Sequence, residues 1–186
     1  DVPEVRRIID QLPADGYLNP SQVRRLLGAA NIPMVAEFTS DDKDEIIEFA
    51  RKVKYPVVAK VVGPVHKSDI GGVALNIKYE EHLLFEFERM MRLPEVTSIM
   101  VQPMLKGTEL FLGAKYEEKF GHVVLCGLGG IFVEVLKDVS YGLSPLSYDE
   151  AYSMIRSLRG YPIIKGTRGQ KGIDEQQYAD IIVRLS

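Results

Sequence analysis

Lys60 stands inside the run Val57-Val58-Ala59-Lys60-Val61-Val62, where desolvating an ammonium costs several kcal/mol unless an anion meets it. That anion is either a carboxylate of the chain itself, giving a structural salt bridge, or a phosphate. The next segment favours phosphate. Residues 63 to 72, GPVHKSDIGG, form a glycine-bounded loop that offers backbone N–H groups, the Ser68 hydroxyl and the cations His66 and Lys67, the ingredients of an anion cradle. An imidazole is a proton switch near neutral pH and a nucleophile able to hold a phosphoryl group, which makes His66 a candidate, with Asp69 three residues on to orient its ring. Taken alone, a loop histidine is more often a solvated surface residue, and Gly71-Gly72 alone marks only a turn.

A second group of candidates follows. The stretch VQPM, residues 101 to 104, reads as a hinge whose backbone, at Gln102 and Met104, meets a planar base edge, and Glu109 beyond it accepts hydrogen bonds from the rest of such a ligand. The plainer reading of Glu109 is a strand-edge acid. Glu134 lies in IFVEVL behind the GLGG turn, residues 127 to 130, so it either pairs with a cation across a sheet or serves a metal-bearing site. GLGG does not fit the dinucleotide fingerprint, which needs a helix behind it; here the residues read as a strand. Asp138 and Arg168 are further candidates, Arg168 in a glycine loop that suits an anion but also reads as solvated surface.

These side chains need elements to position them. Helices are predicted from Asn19 or Ser21 to about Asn31, from the acidic cluster at 41 to 45 up to about Lys54, from Glu80 to Met91, from Tyr148 to Leu158 behind Ser147, and after Asp174. Residues 55 to 62 read as a strand buried on both faces, forming a long-looped hairpin with VALNIK at 73 to 78. Further strands are expected over 97 to 104, in ELFLGAKY, in HVVLC and in IFVEVL, while YPIIKGTRGQKG reads as a loop. The order implies an α+β fold with largely antiparallel sheets.

Composition narrows the classes further. With 46% hydrophobic and 26% charged residues in 186, the chain buries a core and is not disordered. A net charge of -3 without a basic stripe argues against nucleic acid as partner. No apolar run approaches the roughly 20 residues of a spanning helix, and no leader is recognisable, so no membrane role and a cytoplasmic setting are expected. The single cysteine, Cys126, sits in an apolar run and reads as a buried thiol.

Read together, YPVVAKVVGPVHKSDIGGVAL at 55 to 75, VQPMLKGTEL, GHVVLCGLGGIFVEVLKDVSYGLSPL and the final KGTRG resemble the ATP-grasp domain of the NDP-forming acyl-CoA synthetases, which include the β subunits of ADP-forming acetyl-CoA synthetase and are related to succinyl-CoA synthetases. The resemblance implies a two-lobe ATP-grasp fold over residues 15 to 186, with a lobe of about 15 to 100, a larger one of about 101 to 186, and residues 1 to 14 as an extension or linker. It implies ATP or ADP and magnesium as cofactors, Lys60, Gly71, Gly72, Gln102, Met104 and Glu109 around the nucleotide, His66 as phosphoryl carrier and Glu134 toward the metal. It also implies CoA-binding and ligase domains on the same parent chain or a partner subunit, with an oligomer possible. The family's D-x-N-P-L strand and the aspartate strand after it do not follow Ser186, so the fold is expected to be truncated there and inactive by itself. Two other roles share these residues: a regulatory ATP-grasp region of an acetyltransferase fusion, and a non-catalytic nucleotide sensor. A pure sensor needs no phosphoryl acceptor, which speaks against the last.

Overall fold

The computed structural model describes residues 1–12, 16–63, 70–130, 132–167, 169 and 171–186. The chain forms two compact units, residues 35–106 and residues 1–34 with 107–186. The helical stretch before residue 35 thus belongs with the later part of the chain, whereas the sequence grouped residues 15 to 34 with the first lobe.

In the 35–106 unit, four strands form one antiparallel sheet in the order β1-β4-β2-β3: β1 Phe38–Ser40, β2 Val57–Val62, β3 Val73–Ile77 and β4 Ser98–Pro103. Successive side chains alternate between faces. Val57, Ala59 and Val61 of β2 face the core with Ile99 and Val101 of β4. Helices α3 (Lys43–Val53) and α4 (Glu80–Met90) close that face with Ile46, Ala50, Leu83, Phe87 and Met90. Asp42 caps α3 by accepting from the N–H groups of Asp44 and Glu45. The other face of β2 carries Val58, Lys60 and Val62, of which Lys60 and Val62 are half-buried. The sequence expectation of burial on both faces therefore holds in part: Val58 is buried on this face too, whereas Lys60 escapes full desolvation because its even-numbered position points away from the helices.

The other unit holds helices α1 (Val2–Asp10) and α2 (Pro20–Ala29), a second antiparallel sheet of β5 (Leu110–Glu117), β6 (Gly121–Leu128) and β7 (Val139–Leu143) in that order, and helices α5 (Tyr148–Ser157), α6 (Tyr161–Lys165) and α7 (Glu175–Leu185). Val124, Cys126 and Leu128 of β6 meet Met154, Ile155, Tyr178 and Ile182 in a separate core. The predicted caps at Asn19, Ser147 and Asp174 are in place, the first two as reciprocal capping boxes with Gln22 and Glu150.

Residues 2 to 10, within the stretch expected as an extension or linker, form α1: Asp1 caps it, and the Asp1 amino group donates to the Ala29 carbonyl at the end of α2 at 3.0 Å. Two local expectations fail in this unit. The stretch FVEVL, expected within a strand, is not one; Phe132–Leu136 is a five-residue π turn and β7 starts only at Val139. Its valine and leucine lack a sheet to enter, and Val135 (76%) and Leu136 (57%) are exposed. The expected loop after Tyr161 opens with α6, whose Ile164 enters the core. Among the described residues, no helix is long and apolar enough to cross a membrane.

Candidate functional site

In the 35–106 unit, the β2–β4 register places Val58 opposite Gln102 and Lys60 opposite Met100. Residues opposite one another share a face, so Lys60 and Gln102 are diagonal neighbours outside the core. The Lys60 Nζ donates to Gln102 Oε1 at 2.8 Å, and Gln102 Nε2 donates to Glu37 Oε2 at 2.8 Å. Glu37 directly precedes β1, whose pairing of Phe38 with Val101 extends to set Glu37 beside Gln102. Sequence reading gave Gln102 a role through its backbone and missed Glu37, because the pairing of β1 with β4 spans some sixty residues. Its only local signal was a charge immediately before a short β-branched and aromatic run.

Lys60 also stands at the root of the glycine-bounded loop. It pairs with Val73 across the β2–β3 ladder, and the next N–H, Val61, donates to the Gly72 carbonyl at 2.9 Å. Both rims of the loop are fixed. On one side Gly63 adopts φ +123°, and a Cβ there would overlap the Glu95 carbonyl oxygen, so only glycine suits the position. On the other, the Arg89 guanidinium of α4 donates to the Gly71 carbonyl at 2.9 Å while its Nε holds Glu86 at 2.8 Å. Arg89 is a supporting residue that the sequence did not reveal, since only the folded chain brings the last turn of α4 to the loop. His66, with Lys67, Ser68 and Asp69, lies outside the described residues, as does Arg168.

At the hinge, the Met104 N–H donates to the Pro56 carbonyl at 2.9 Å. That donor is engaged in extending the β2–β4 pairing, so a base edge would gain the Met104 N–H only by displacing Pro56.

The other unit carries Glu109, Glu134 and Asp138. Glu109 lies exposed ahead of β5, and its carbonyl accepts from Gly129 N–H at 2.7 Å. A Cβ on Gly130, which sits at φ +57°, would come within 2.6 Å of Glu109 Oε2, so the GLGG turn is shaped to let this carboxylate lie against it. The sequence treated Glu109 and GLGG separately; β5–β6 pairing joins them, with Leu110 opposite Leu128. Glu134 is exposed on the π turn. Among the described residues, no group of three or more His, Cys, Asp or Glu side chains is close enough to hold a metal ion. Asp138 is a structural acid: it is 8% exposed, and its two oxygens accept from the N–H groups of Arg159 at 3.0 Å and Gly160 at 2.7 Å, tying the start of β7 to the turn before α6.

With this geometry in place, residues 12–186 match the ATP-grasp domain family. The β subunit of acetate–CoA ligase [ADP-forming] I from Pyrococcus furiosus is 35% identical over 195 residues, covering 99% of this chain and 84% of that protein. Acetate–CoA ligase [ADP-forming] II from Archaeoglobus fulgidus is 42% identical over 149 residues, covering 78% of this chain and 22% of the ligase, so the match spans about a fifth of that longer protein. Among solved structures, the dinucleotide forming acetyl-coenzyme A synthetase 1 of Ca. Korarchaeum cryptofilum, in complex with coenzyme A, Ca-AMPCP and HgCl+, superposes with TM-score 0.82 at 32% identity, covering 90% of this chain and 77% of its own. The same enzyme with coenzyme A and Mg-AMPPCP, its phosphohistidine segment pointing towards the nucleotide binding site, gives TM-score 0.75 at 33% identity, covering 90% and 75%. The fold and these relatives agree: this chain belongs to the ATP-grasp domain family, together with the β subunits of the ADP-forming acetate–CoA ligases.

Proposed function

We propose that this chain is the nucleotide-binding and phosphoryl-transfer part of an NDP-forming acyl-CoA synthetase, interconverting acyl-CoA, ADP and phosphate with acid, CoA and ATP through a phosphohistidine. The observation that carries the reading is Lys60: its ammonium is held by Gln102 on the half-buried face of β2, beside the pinned rims of a glycine loop. A cation fixed in that way is pre-set for nucleotide phosphates, and phosphoryl transfer depends mostly on such positioning and charge neutralisation.

His66 is the proposed phosphoryl acceptor. A neutral ring nitrogen attacks the γ-phosphorus of ATP, the N–P bond forms as the bond to the ADP oxygen breaks, and the reverse step makes ATP. Gly71 and Gly72 border the loop over the phosphates, while Gln102, Met104 and Glu109 serve the remainder of the nucleotide. A magnesium ion travelling with the nucleotide neutralises its phosphates and takes most of its ligands from phosphate and water, which suits a single protein carboxylate such as Glu134 and needs no cluster. The acyl-CoA half of the reaction falls to CoA-binding and ligase domains of the parent protein or a partner subunit.

Two measurements test the proposal on the full-length protein with its CoA-binding partner domains. Labelled ATP and magnesium should yield an acid-labile, base-stable phosphoenzyme whose share on this domain disappears in His66→Asn. Lys60→Ala should weaken MgADP binding about tenfold or more, the loss of a charge-assisted contact. Undiminished labelling in the first variant and unchanged calorimetric affinity in the second would overturn it.

A further inference from the structure

Glu37, Gln102 and Lys60 form a three-member chain across β1, β4 and β2, and the chemistry of its two ends decides the middle. A carboxylate only accepts hydrogen bonds and an ammonium only donates them, whereas a carboxamide does one with each end. With Glu37 accepting from Gln102 Nε2 at 2.8 Å, the amide is obliged to turn Oε1 toward Lys60, which donates to it at 2.8 Å. Gln102 stands on a regular strand opposite Val58, and Glu37 is half-buried one residue before the β1 ladder, so both groups are mounted on sheet backbone rather than on a loop.

We propose that Glu37 is a positioning residue for nucleotide binding: acting through the Gln102 amide, it fixes where the Lys60 ammonium stands at the root of the glycine loop. The proposal rests on reading Lys60 as a nucleotide phosphate ligand. Replacing the carboxylate with an amide removes the constraint, because a Gln at 37 can present either its oxygen or its NH2. The Gln102 amide is then free to flip and offer its own NH2 to the lysine, donor against donor.

The test is MgADP affinity by calorimetry, with thermal melting alongside, on full-length protein carrying Glu37→Gln, Gln102→Glu, the two together, and Lys60→Ala. Glu37→Gln is isosteric and keeps the fold; it should weaken MgADP roughly tenfold, the scale of one charge-assisted hydrogen bond, with little change in melting temperature. Gln102→Glu sets two carboxylates face to face and should also bind worse. In the double variant the carboxylate at 102 accepts from both Lys60 and the amide at 37, every donor again meets an acceptor, and affinity should recover beyond either single variant, a coupling that independent structural damage does not produce. Wild-type affinity in Glu37→Gln while Lys60→Ala binds poorly overturns the positioning role and leaves the phosphate role of Lys60 standing. Loss that simply follows the melting temperature, without recovery in the double variant, overturns it as well. Wild-type affinity in Lys60→Ala overturns the reading beneath it.

Discussion

At the residue scale, the two units use buried polarity differently. Lys60 and Gln102 are half-buried and bonded on a face that a ligand can share, whereas Cys126 and Tyr178 are sealed in a core. Burial pushes the Cys126 thiol up from an ordinary value of 9.0 to about 11, against a smaller opposing pull from the Tyr178 hydroxyl. Burial raises the Tyr178 hydroxyl too, with Cys126 adding to the shift and the Gly127 backbone opposing it. Both groups are neutral when protonated, so a raised folded-state pKa means the folded chain keeps protons that the unfolded chain has released. Stability is then full below about pH 9 and falls as pH rises toward 11, by up to about 1.4 kcal/mol per pH unit for the thiol. Urea unfolding at pH 7, 9 and 10.5 should show this decline, and Cys126→Ala should flatten it. An equal slope in both proteins would show that the thiol does not carry the dependence.

At the element scale, the connections between strands and helices do work that periodicity does not reveal. Asp138 is the clearest case. In sequence it sits among functional candidates; in the structure its carboxylate caps the N–H groups of Arg159 and Gly160, and its own carbonyl oxygen lies where a Cβ on Gly127 would come within 2.5 Å. Asp138→Ala leaves two backbone donors without this acceptor, which should cost about 1–3 kcal/mol. MgADP affinity should stay at the wild-type level in chemically folded protein, and a loss of affinity at unchanged stability would return Asp138 to the site. Tyr178 plays a comparable part for α7: its hydroxyl donates to the Phe111 carbonyl at 2.7 Å and accepts from Gly127 N–H at 3.2 Å, so the last helix is fastened to both β5 and β6.

At the scale of the whole molecule, two cores are built from different segments. One gathers β1 to β4 with α3 and α4, the other β5 and β6 with α5 to α7. Ile99 is fully buried in the first, and Ile99→Ala removes about three methyl or methylene equivalents there, a loss of about 2–5 kcal/mol. Hydrogen exchange should quicken in β2 and β4 while β6 keeps its protection, because the cavity opens in one core only. Equal acceleration in both sheets would show that the cores unfold as one.

Much of this was written in local pattern. Capping residues followed by apolar repeats marked α2, α3, α5 and α7, and the lone lysine in an apolar run marked β2 and the loop behind it, because helix periodicity and the cost of a desolvated charge are set within a dozen residues. The resemblance of HKSDIGG and GLGGIFVEVLKD to one family likewise needed no coordinates. Tertiary structure decided what local pattern cannot carry: that Lys60 lies on the open face of its strand, that Glu37 reaches it through Gln102 across 65 residues of chain, that Glu109 rests on the GLGG turn, and that an apolar stretch with no strand to pair becomes a π turn. Each of these depends on which strands become neighbours, and that is settled by the burial of distant side chains against one another.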